Sequence, residues 1–386
     1  GLFVFSLGAV LCYYSKNFSY LLFSRFVQGL GASMMMSSGP AIIKSSFPKG
    51  QLGRNLGLVG IATACGLLTG PFICGNLLAH FSWRSIYVLL GTISCVIGCC
   101  GISLFAHGLG TTKKIKSSAF DWAGGFCWVG IVLLLINLLH TVNLLSTVII
   151  LTKTLALAGL ITIFIFVERK AKHPILPLKI FAHRYFWVGT VTSSLSFASL
   201  FSVLVLIPFY LDYIQQMTSS EIGLMMMAVP GTLILLSPTA GFLYDKIGAR
   251  FLTSFGLLVS CLSLLGLSQL AVDSSRLVIL LMLAAMGAGQ SIVLSPNSAS
   301  VLSKVANDRL GATAGILATA RNFGMVFGAT ISTVLFTYFS FGGRVGLDNL
   351  NLEQLGSALF MLSLGATFKC IAGLSCLAFM ISTLRD

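Results

Sequence analysis

The chain is a series of long apolar runs, each separated from the next by a short polar or basic segment. The runs are continuous and lack the apolar–polar alternation of half-buried strands, so they indicate helices. About 20 apolar residues are enough for a helix to cross a bilayer. The predicted fold class is therefore an all-α polytopic membrane protein. Its twelve predicted helices lie near 1–15, 20–43, 55–79, 85–106, 122–142, 147–167, 185–210, 220–243, 251–271, 276–300, 311–339 and 355–383.

Composition excludes a water-soluble enzyme, because only 9% of the 386 residues are charged and 56% are hydrophobic. A soluble domain carries about 25% charged residues. Most of the ten cysteines lie inside apolar runs, and we interpret them as small buried side chains rather than disulfides or metal ligands. No cofactor is expected, since the sequence holds neither a nucleotide-binding loop nor a metal-ligand spacing.

The net charge of +14 predicts topology rather than nucleic-acid binding. Sixteen basic residues fall in one set of loops and five in the opposite set. We expect the richer set, and both ends of the sequence, to face the cytoplasm of a bacterial inner membrane. That set comprises Lys44, Lys49, Arg54, Lys113, Lys114, Lys116, Arg169, Lys170, Lys172, Lys179, Arg184, Lys246, Arg250, Lys304, Arg309 and Arg385.

A weak internal repeat divides the chain into two related parts. When Pro40 is aligned with Pro296, Gly31–Ala32 falls on Gly287–Ala288. The second copy has two helices ahead of the aligned region that the first lacks, so we expect about two further helices to precede residue 1. The predicted domains are a four-helix bundle at 1–106, a linker with two extra helices at 107–184, and a six-helix bundle at 185–386.

The first candidate site is an arginine in an apolar helix, Arg25, followed by Gln28, Gly29 and Gly31. A guanidinium inside the membrane costs at least about 2.5 kcal/mol unless it is paired or hydrated, so its presence favours a function. The alternative is an arginine that snorkels to the outer interface.

The second candidate is a glycine series ending in proline, formed by Gly57, Gly66, Gly70, Pro71 and Gly75. Small residues one turn apart let a neighbouring helix approach closely, and proline removes a backbone hydrogen bond and kinks the helix. We expect this helix to pack and rock against a partner bundle, the alternative being ordinary small-residue packing.

The third candidate is a tight turn between two helices that holds Gly241, Asp245, Gly248 and Arg250. We expect Asp245 to cap the helix that starts near Phe251, where the positive dipole end favours a carboxylate. Such a charge cluster can stabilise one of two conformations, and the alternative is a plain capped turn.

These three stretches, in this order, resemble the major facilitator superfamily. The first resembles its motif B, the second its antiporter motif C, and the third its loop motif A. The two extra helices and His173–Leu178 resemble the fourteen-helix drug:proton antiporter family. The resemblance implies a role in proton transfer for Arg25, in the conformational change for Pro71 and its glycines, and in gating for Asp245.

The chain departs from the family pattern in three places. Cys74 replaces a glycine of motif C, Ser33 replaces an alanine of motif B, and the first-half motif A is absent. All ten acids are predicted at helix ends or in loops, so no coupling carboxylate is expected at mid-membrane. The carboxylate could belong to a preceding helix, coupling could use another group, or the chain could be uncoupled.

A substrate cavity is expected between the two bundles near the membrane midplane. Its polar candidates are Gln290, Asn297, Arg321 and Asn322, and its aromatic candidates are Phe197, Phe201 and Tyr210. For the aromatic residues the alternative is lipid-facing or core packing. For Arg321 it is pairing with carbonyls at a helix end.

The predicted function is secondary active efflux of small amphipathic organic cations or other drugs in exchange for protons, by a monomer working through alternating access. The alternatives are an exporter of another metabolite and an inactive remnant. The five histidines are scattered, and no catalytic constellation supports a membrane enzyme.

Overall fold

The computed structural model describes residues 1–46, 52–106, 121–141, 147–171, 174, 183–305, 309–341 and 356–385. In this part of the chain every regular element is a helix, as the apolar runs predicted. The α-helices are α1 (Leu2–Tyr13), α2 (Phe18–Ser46), α3 (Leu52–His80), α4 (Ser85–Ala106), α5 (Trp122–Thr141), α6 (Thr147–Lys170), α7 (Arg184–Phe209), α8 (Ser219–Met226), α9 (Ala228–Ile247), α10 (Ala249–Leu267), α11 (Arg276–Ser303), α12 (Leu310–Phe341) and α13 (Ser357–Thr383).

The predicted helices agree with the structure except near 220–243, where one predicted helix is two. Helix α8 ends at Met226 and α9 begins at Ala228. Pro230 lies in the first turn of α9 and has no backbone N–H to donate to the preceding turn, which accounts for the break. A capping box between Thr218 and Glu221 starts α8.

Eight helical segments of the described chain are long and apolar enough to cross a membrane, and α1 and Trp122–Leu138 are shorter apolar helices. A backbone inside lipid must satisfy its own hydrogen bonds, and a helix does so within one segment. The chain is therefore an integral membrane protein.

The helices pack as two bundles with a helical hairpin beside them. Helices α2 and α4 both pack on α1 to form one bundle, and α7 and α9–α13 pack around a second core. Helix α3 has few contacts with α2 and α4 and packs mainly on α9 and α11. That second core holds Leu264, Phe368 and Ile371, which are completely buried. The two bundles meet where α3 packs on α9 and where α2 packs on α12. Helices α5 and α6 pack on each other, and Ile131 and Phe164 of this pair contact Ile316 of α12.

Candidate functional site

A cavity of about 330 Å³ lies between the two bundles. Its walls come from α2 and α3 on one side and from α7, α11 and α12 on the other. Most of the lining is apolar, and the polar groups in it are three hydroxyls and one guanidinium. The lining residues are Met35, Met36, Gly39, Pro40, Ile43, Leu56, Val59, Gly60, Thr63, Phe197, Leu294, Ser295, Ser298, Leu302, Ala314, Leu317, Arg321 and Met325.

Two of the predicted cavity residues, Phe197 and Arg321, line this cavity. Phe201 instead packs against the core of the second bundle. Asn322 is exposed beside the cavity, with its Nδ2 3.8 Å from the sulfur of Met36 on α2. The cavity therefore brings together only part of the predicted set.

The remaining predicted cavity residues are buried within the second bundle. The Tyr210 hydroxyl donates to the carbonyl of Ala271 at 2.8 Å. Gln290 accepts a hydrogen bond from the Ser196 hydroxyl at 2.6 Å. Both are at most 1% exposed, so they hold helices of one bundle together rather than face the cavity.

Asn297 belongs to a buried polar cluster that sequence reasoning missed. Its Nδ2 donates to the Gly189 carbonyl at 2.8 Å, and its Oδ1 accepts from the Arg385 guanidinium. Thr192 Oγ1 contacts the same Asn297 oxygen at 3.3 Å. Arg385 is 1% exposed, and burial lowers its pKa to about 10 because the charged form loses its hydration. No spacing signal could have linked residues of α7, α11 and the C-terminal end of α13.

Arg25 lies in the first bundle, away from the cavity. Its Nη1 donates to Gln28 Oε1 at 2.8 Å, and its guanidinium lies 5.1 Å from the centre of the Tyr87 ring. Arg25 is exposed, whereas Gln28 is 4% exposed and its Nε2 has no partner among the described residues. Gly31 approaches the backbone of Phe5 in α1, and Gly29 faces open space.

The glycines of α3 divide into two groups. A Cβ on Gly57 would lie 2.7 Å from the backbone oxygen of Ser237 in α9, so this glycine allows close contact between the bundles. Gly60, which was not among the predicted residues, approaches the Ser237 hydroxyl in the same way. Among the described atoms, nothing lies within 4 Å of a Cβ built on Gly66 or Gly70. The surroundings of the Pro71 and Gly75 side-chain positions lie outside the described residues.

Asp245 caps a different helix from the expected one. Its Oδ2 accepts the backbone N–H of Arg54 at 3.1 Å, in the first turn of α3 in the other bundle. The helix after the turn, α10, begins after Gly248 without a side-chain cap. Gly248 has φ +80, a left-handed conformation that glycine adopts without strain, and this turn directs Asp245 across the interface.

Lys44 makes a second contact across the same interface, which sequence reasoning also missed. Its Nζ donates to the carbonyls of Leu302 and Val305, each at 2.6 Å, at the C-terminal end of α11. A cation there complements the negative end of the helix dipole, as Asp245 complements the positive end of α3. We call these two contacts the basic-end latch, and the end of the molecule that carries Lys44, Arg54 and Asp245 the basic end.

An apolar cluster lies beside the basic-end latch and closes the cavity there. Leu56 and Leu302 are buried and line the cavity, and Ile43 packs on the same cluster. The two bundles are therefore in contact at the basic end. Further along α3 the bundles stay in contact through Ala64, which is completely buried in the core of the second bundle. Gly66 and Gly70 lie on the opposite face of α3 from Gly57, where they have open space around them.

The chain belongs to the Major Facilitator Superfamily, a family of membrane transporters. The family's sequence model matches residues 1–329 and, in a second overlapping match, residues 191–379. Together these matches cover nearly the whole chain. The fold, the two bundles and the cavity between them are those of a transporter rather than an enzyme.

Curated relatives with named substrates differ in what they carry. The riboflavin transporter RibZ of Clostridioides difficile is 28% identical over 344 residues, which cover 87% of this chain and 72% of RibZ. The multidrug transporter MdtP of Bacillus subtilis is 28% identical over 335 residues, which cover 86% of this chain and 61% of MdtP. The chain thus spans about two thirds of the length of these relatives.

Solved structures share the fold at low sequence identity. The human organic anion transporter MFSD10 has a TM-score of 0.64 at 15% identity, covering 99% of this chain and 75% of that one. The proton:xylose symporter XylE has a TM-score of 0.57 at 14% identity, covering 98% of this chain and 76% of that one.

Proposed function

We propose that the chain is a secondary active exporter of small amphipathic organic molecules, driven by inward proton flow in the manner of the fourteen-helix drug:proton antiporters. Substrate binds in the cavity between the bundles. The bundles then rock so that the cavity opens to one side of the membrane at a time.

One observation carries this proposal: α3 presents glycines on two opposite faces, and only one of those faces is packed against α9. Gly57 and Gly60 lie against Ser237, while Gly66 and Gly70 lie open. A helix that presents glycines along its whole length and uses half of them in this conformation is suited to a second conformation that uses the others. The same helix carries the series that resembles the antiporter motif, which supports exchange rather than symport.

We place the basic end in the cytoplasm, because the richer set of basic loops lies at that end. The contacts at the basic end then close the cytoplasmic side, and substrate is released outward from the present conformation. Helices α5 and α6 are the two extra helices of the fourteen-helix scheme. Their packing on each other and on α12, outside the cavity, agrees with that assignment.

Arg25 is proposed to take part in proton transfer, together with Gln28. It needs a titratable partner, and the acids among the described residues lie at helix ends or in connecting turns.

The test is uptake into proteoliposomes that contain the purified natural protein, with the membrane potential clamped by potassium and valinomycin. Three probes share a naphthalene ring and differ in charge: naphthalene sulfonate, naphthalene sulfonamide and naphthylmethyl trimethylammonium. An acidic interior should drive uptake of at least one probe, because outward proton flow powers inward substrate movement through an antiporter in either orientation. Nigericin, which dissipates the pH gradient, should abolish that stimulation.

Protein-free liposomes and an Arg25→Gln variant are the controls. The variant should retain probe exchange at equal pH and lose the stimulation by the gradient. Uptake that is independent of the pH gradient would indicate a facilitator instead. Stimulation by an alkaline interior would indicate a symporter.

A metabolite exporter is the second candidate, because the relatives include a riboflavin transporter as well as multidrug transporters. Riboflavin added to the same proteoliposomes should then be carried itself and should compete with the naphthalene probes. An inactive remnant would carry nothing, with or without the gradient.

A further inference from the structure

The cavity between the bundles holds one permanent charge, and that charge is positive. Arg321 lies in the fourth turn of α12 and lines the cavity. A guanidinium is protonated at neutral pH, so the cavity keeps this charge under physiological conditions. The described lining includes no carboxylate and no second cation.

Arg321 has no counter-charge in the part of the chain that the structure describes. Its Nε is buried without a hydrogen-bond partner, and no described carboxylate forms an ion pair with it. Two acids of the same bundle have other partners. Glu221 forms an ion pair with Arg276 at 2.8 Å, and Asp245 accepts a hydrogen bond from the backbone N–H of Arg54. Arg385, which is 1% exposed, by contrast donates to Asn297.

A partly buried cation without a counter-charge favours a ligand that supplies one. A carboxylate, sulfonate or phosphate can accept two parallel hydrogen bonds from a guanidinium, which fixes its orientation as well as its position. A cationic ligand would put two like charges together in mostly apolar surroundings, where their repulsion is little screened. The sign of the cavity charge therefore selects against cations.

The rest of the lining suits the apolar part of such a ligand. Met35, Met36 and Met325 present flexible, polarizable side chains, and thioether sulfur makes favourable contacts with aromatic rings. Phe197 adds an aromatic wall, and Ser298 and Thr63 add hydroxyl groups. A volume of about 330 Å³ is at the small end of ligand pockets, which limits the ligand to one or two fused rings with short substituents.

We propose that this cavity takes amphipathic organic anions, with an aromatic or aliphatic body against the methionines and a single anionic group on Arg321. The assignment rests on the proposed transport function and gives its substrate class. It reverses the sign of charge that the sequence alone led us to expect for the substrate.

The test is equilibrium binding of the three naphthalene probes to the purified natural protein in detergent, by titration calorimetry. The wild-type protein should bind naphthalene sulfonate about tenfold or more tightly than naphthylmethyl trimethylammonium, with the neutral sulfonamide in between. Arg321→Gln should remove that preference by weakening sulfonate binding about tenfold or more, and it should leave sulfonamide binding within about twofold.

Two further variants separate a binding role from a folding role. Arg321→Lys keeps the charge but loses the planar fork, so sulfonate binding should fall less than in Arg321→Gln. Arg276→Gln makes the same chemical change at an exposed arginine of the same bundle and should bind all three probes as the wild type does. Each variant should elute as a single species and unfold in one transition.

The proposal is overturned if the ammonium probe binds as tightly as the sulfonate, if Arg321→Gln leaves sulfonate binding unchanged, or if none of the three binds. The flux assay separates this failure from failure of the proposed function. Gradient-driven uptake of the ammonium probe would uphold the antiporter and refute the anion site. Sulfonate binding that depends on Arg321, without gradient-driven flux, would uphold the anion site and refute the antiporter.

Discussion

At the scale of single residues, three basic side chains on the helices differ in what compensates for their lost hydration. Arg25 lies over the Tyr87 ring and bonds Gln28, and Lys44 donates to carbonyls at the end of α11. Arg321 faces the cavity without a protein partner among the described residues. A cation within a membrane helix is costly, so the unsatisfied one is the best candidate for contact with a substrate.

Arg385 provides a prediction about stability. Two of its nitrogens, Nε and Nη1, are buried without a described partner. Replacement of it by methionine should raise the thermal midpoint, because an incompletely satisfied buried charge is often less stable than an apolar side chain, by roughly 1–4 kcal/mol. Asn297 would keep its hydrogen bonds with Thr192 and Gly189. Differential scanning fluorimetry of wild type, Arg385→Met and Arg385→Lys measures this.

The same comparison has a pH dependence with a defined sign. Burial lowers the pKa of Arg385 to about 10 in the folded protein, below its value in the unfolded chain. The penalty is therefore complete below about pH 10 and is relieved as the guanidinium deprotonates at higher pH. The advantage of Arg385→Met should shrink above about pH 10. Arg385→Lys should be less stable than the wild type near neutral pH, and a lower midpoint for Arg385→Met would contradict the argument.

At the scale of elements, α3 is the helix whose glycines matter most, and they are not equivalent. Gly57 meets the backbone of Ser237, which cannot move away as a flexible side chain can. Gly66 and Gly70 have room for a side chain in this conformation. A side chain added at Gly57 would therefore meet α9, whereas one added nine or thirteen residues later, at Gly66 or Gly70, would meet open space.

Alanine substitution along α3 should separate packing from conformational change. Gly57→Ala should lower stability by about 1–3 kcal/mol, because its Cβ would lie 2.7 Å from a backbone oxygen and push α9 away. Gly66→Ala should leave the thermal midpoint unchanged or slightly raised, since alanine is a better helix former than glycine. Thermal unfolding and probe flux would both be measured for the two variants.

Gly66→Ala is expected to reduce flux even though it does not destabilise the protein. That pair of results would mean that Gly66 is in contact only in a second conformation. Normal flux in Gly66→Ala would count against the proposed use of this glycine, and an unchanged midpoint in Gly57→Ala would count against the close contact with α9.

At the scale of the whole molecule, the two bundles are joined at the basic end by contacts between side chains of one bundle and helix ends of the other. Lys44 is on α2 and bonds the end of α11, whereas Asp245 is on α9 and bonds the start of α3. Both contacts depend on the closed arrangement, so they stabilise it relative to an arrangement open at that end.

Removal of the basic-end latch should open the basic end. Lys44→Met removes two charge-assisted hydrogen bonds, each worth about 1.5–3 kcal/mol, and Asp245→Asn removes a charge at a helix N-terminus worth about 0.3–2 kcal/mol. Hydrogen–deuterium exchange should become faster at the start of α3 and the end of α11, and faster in Lys44→Met than in Asp245→Asn. The expected increase for Lys44→Met is about tenfold or more.

Lys246→Met is the matched control, because Lys246 lies at the basic end over the Phe242 ring and takes no part in the basic-end latch. Exchange in α5 and α6 should stay constant in all three variants. An equal increase in Lys246→Met would indicate a general effect of lost positive charge, and the latch would then have no special role.

The amino-acid sequence by itself determined the all-helical fold, the approximate positions of the helices and the membrane setting. A backbone in lipid must satisfy its hydrogen bonds within each segment, so the apolar runs are sufficient to predict where the helices lie. The motif resemblance also identified the superfamily. The helix break at Met227 was missed, although Pro230 is a local signal for it.

Only the tertiary structure decided which groups meet. Asp245 and the amide of Arg54 are 191 residues apart in the sequence. No local pattern predicts that a side chain of one bundle caps a helix of the other. The same holds for Gly57 against Ser237 and for the placement of Arg321 in the cavity rather than at a helix end. Helix formation depends on neighbours within four residues, whereas these contacts depend on how whole bundles pack, which is set by many weak contacts at once.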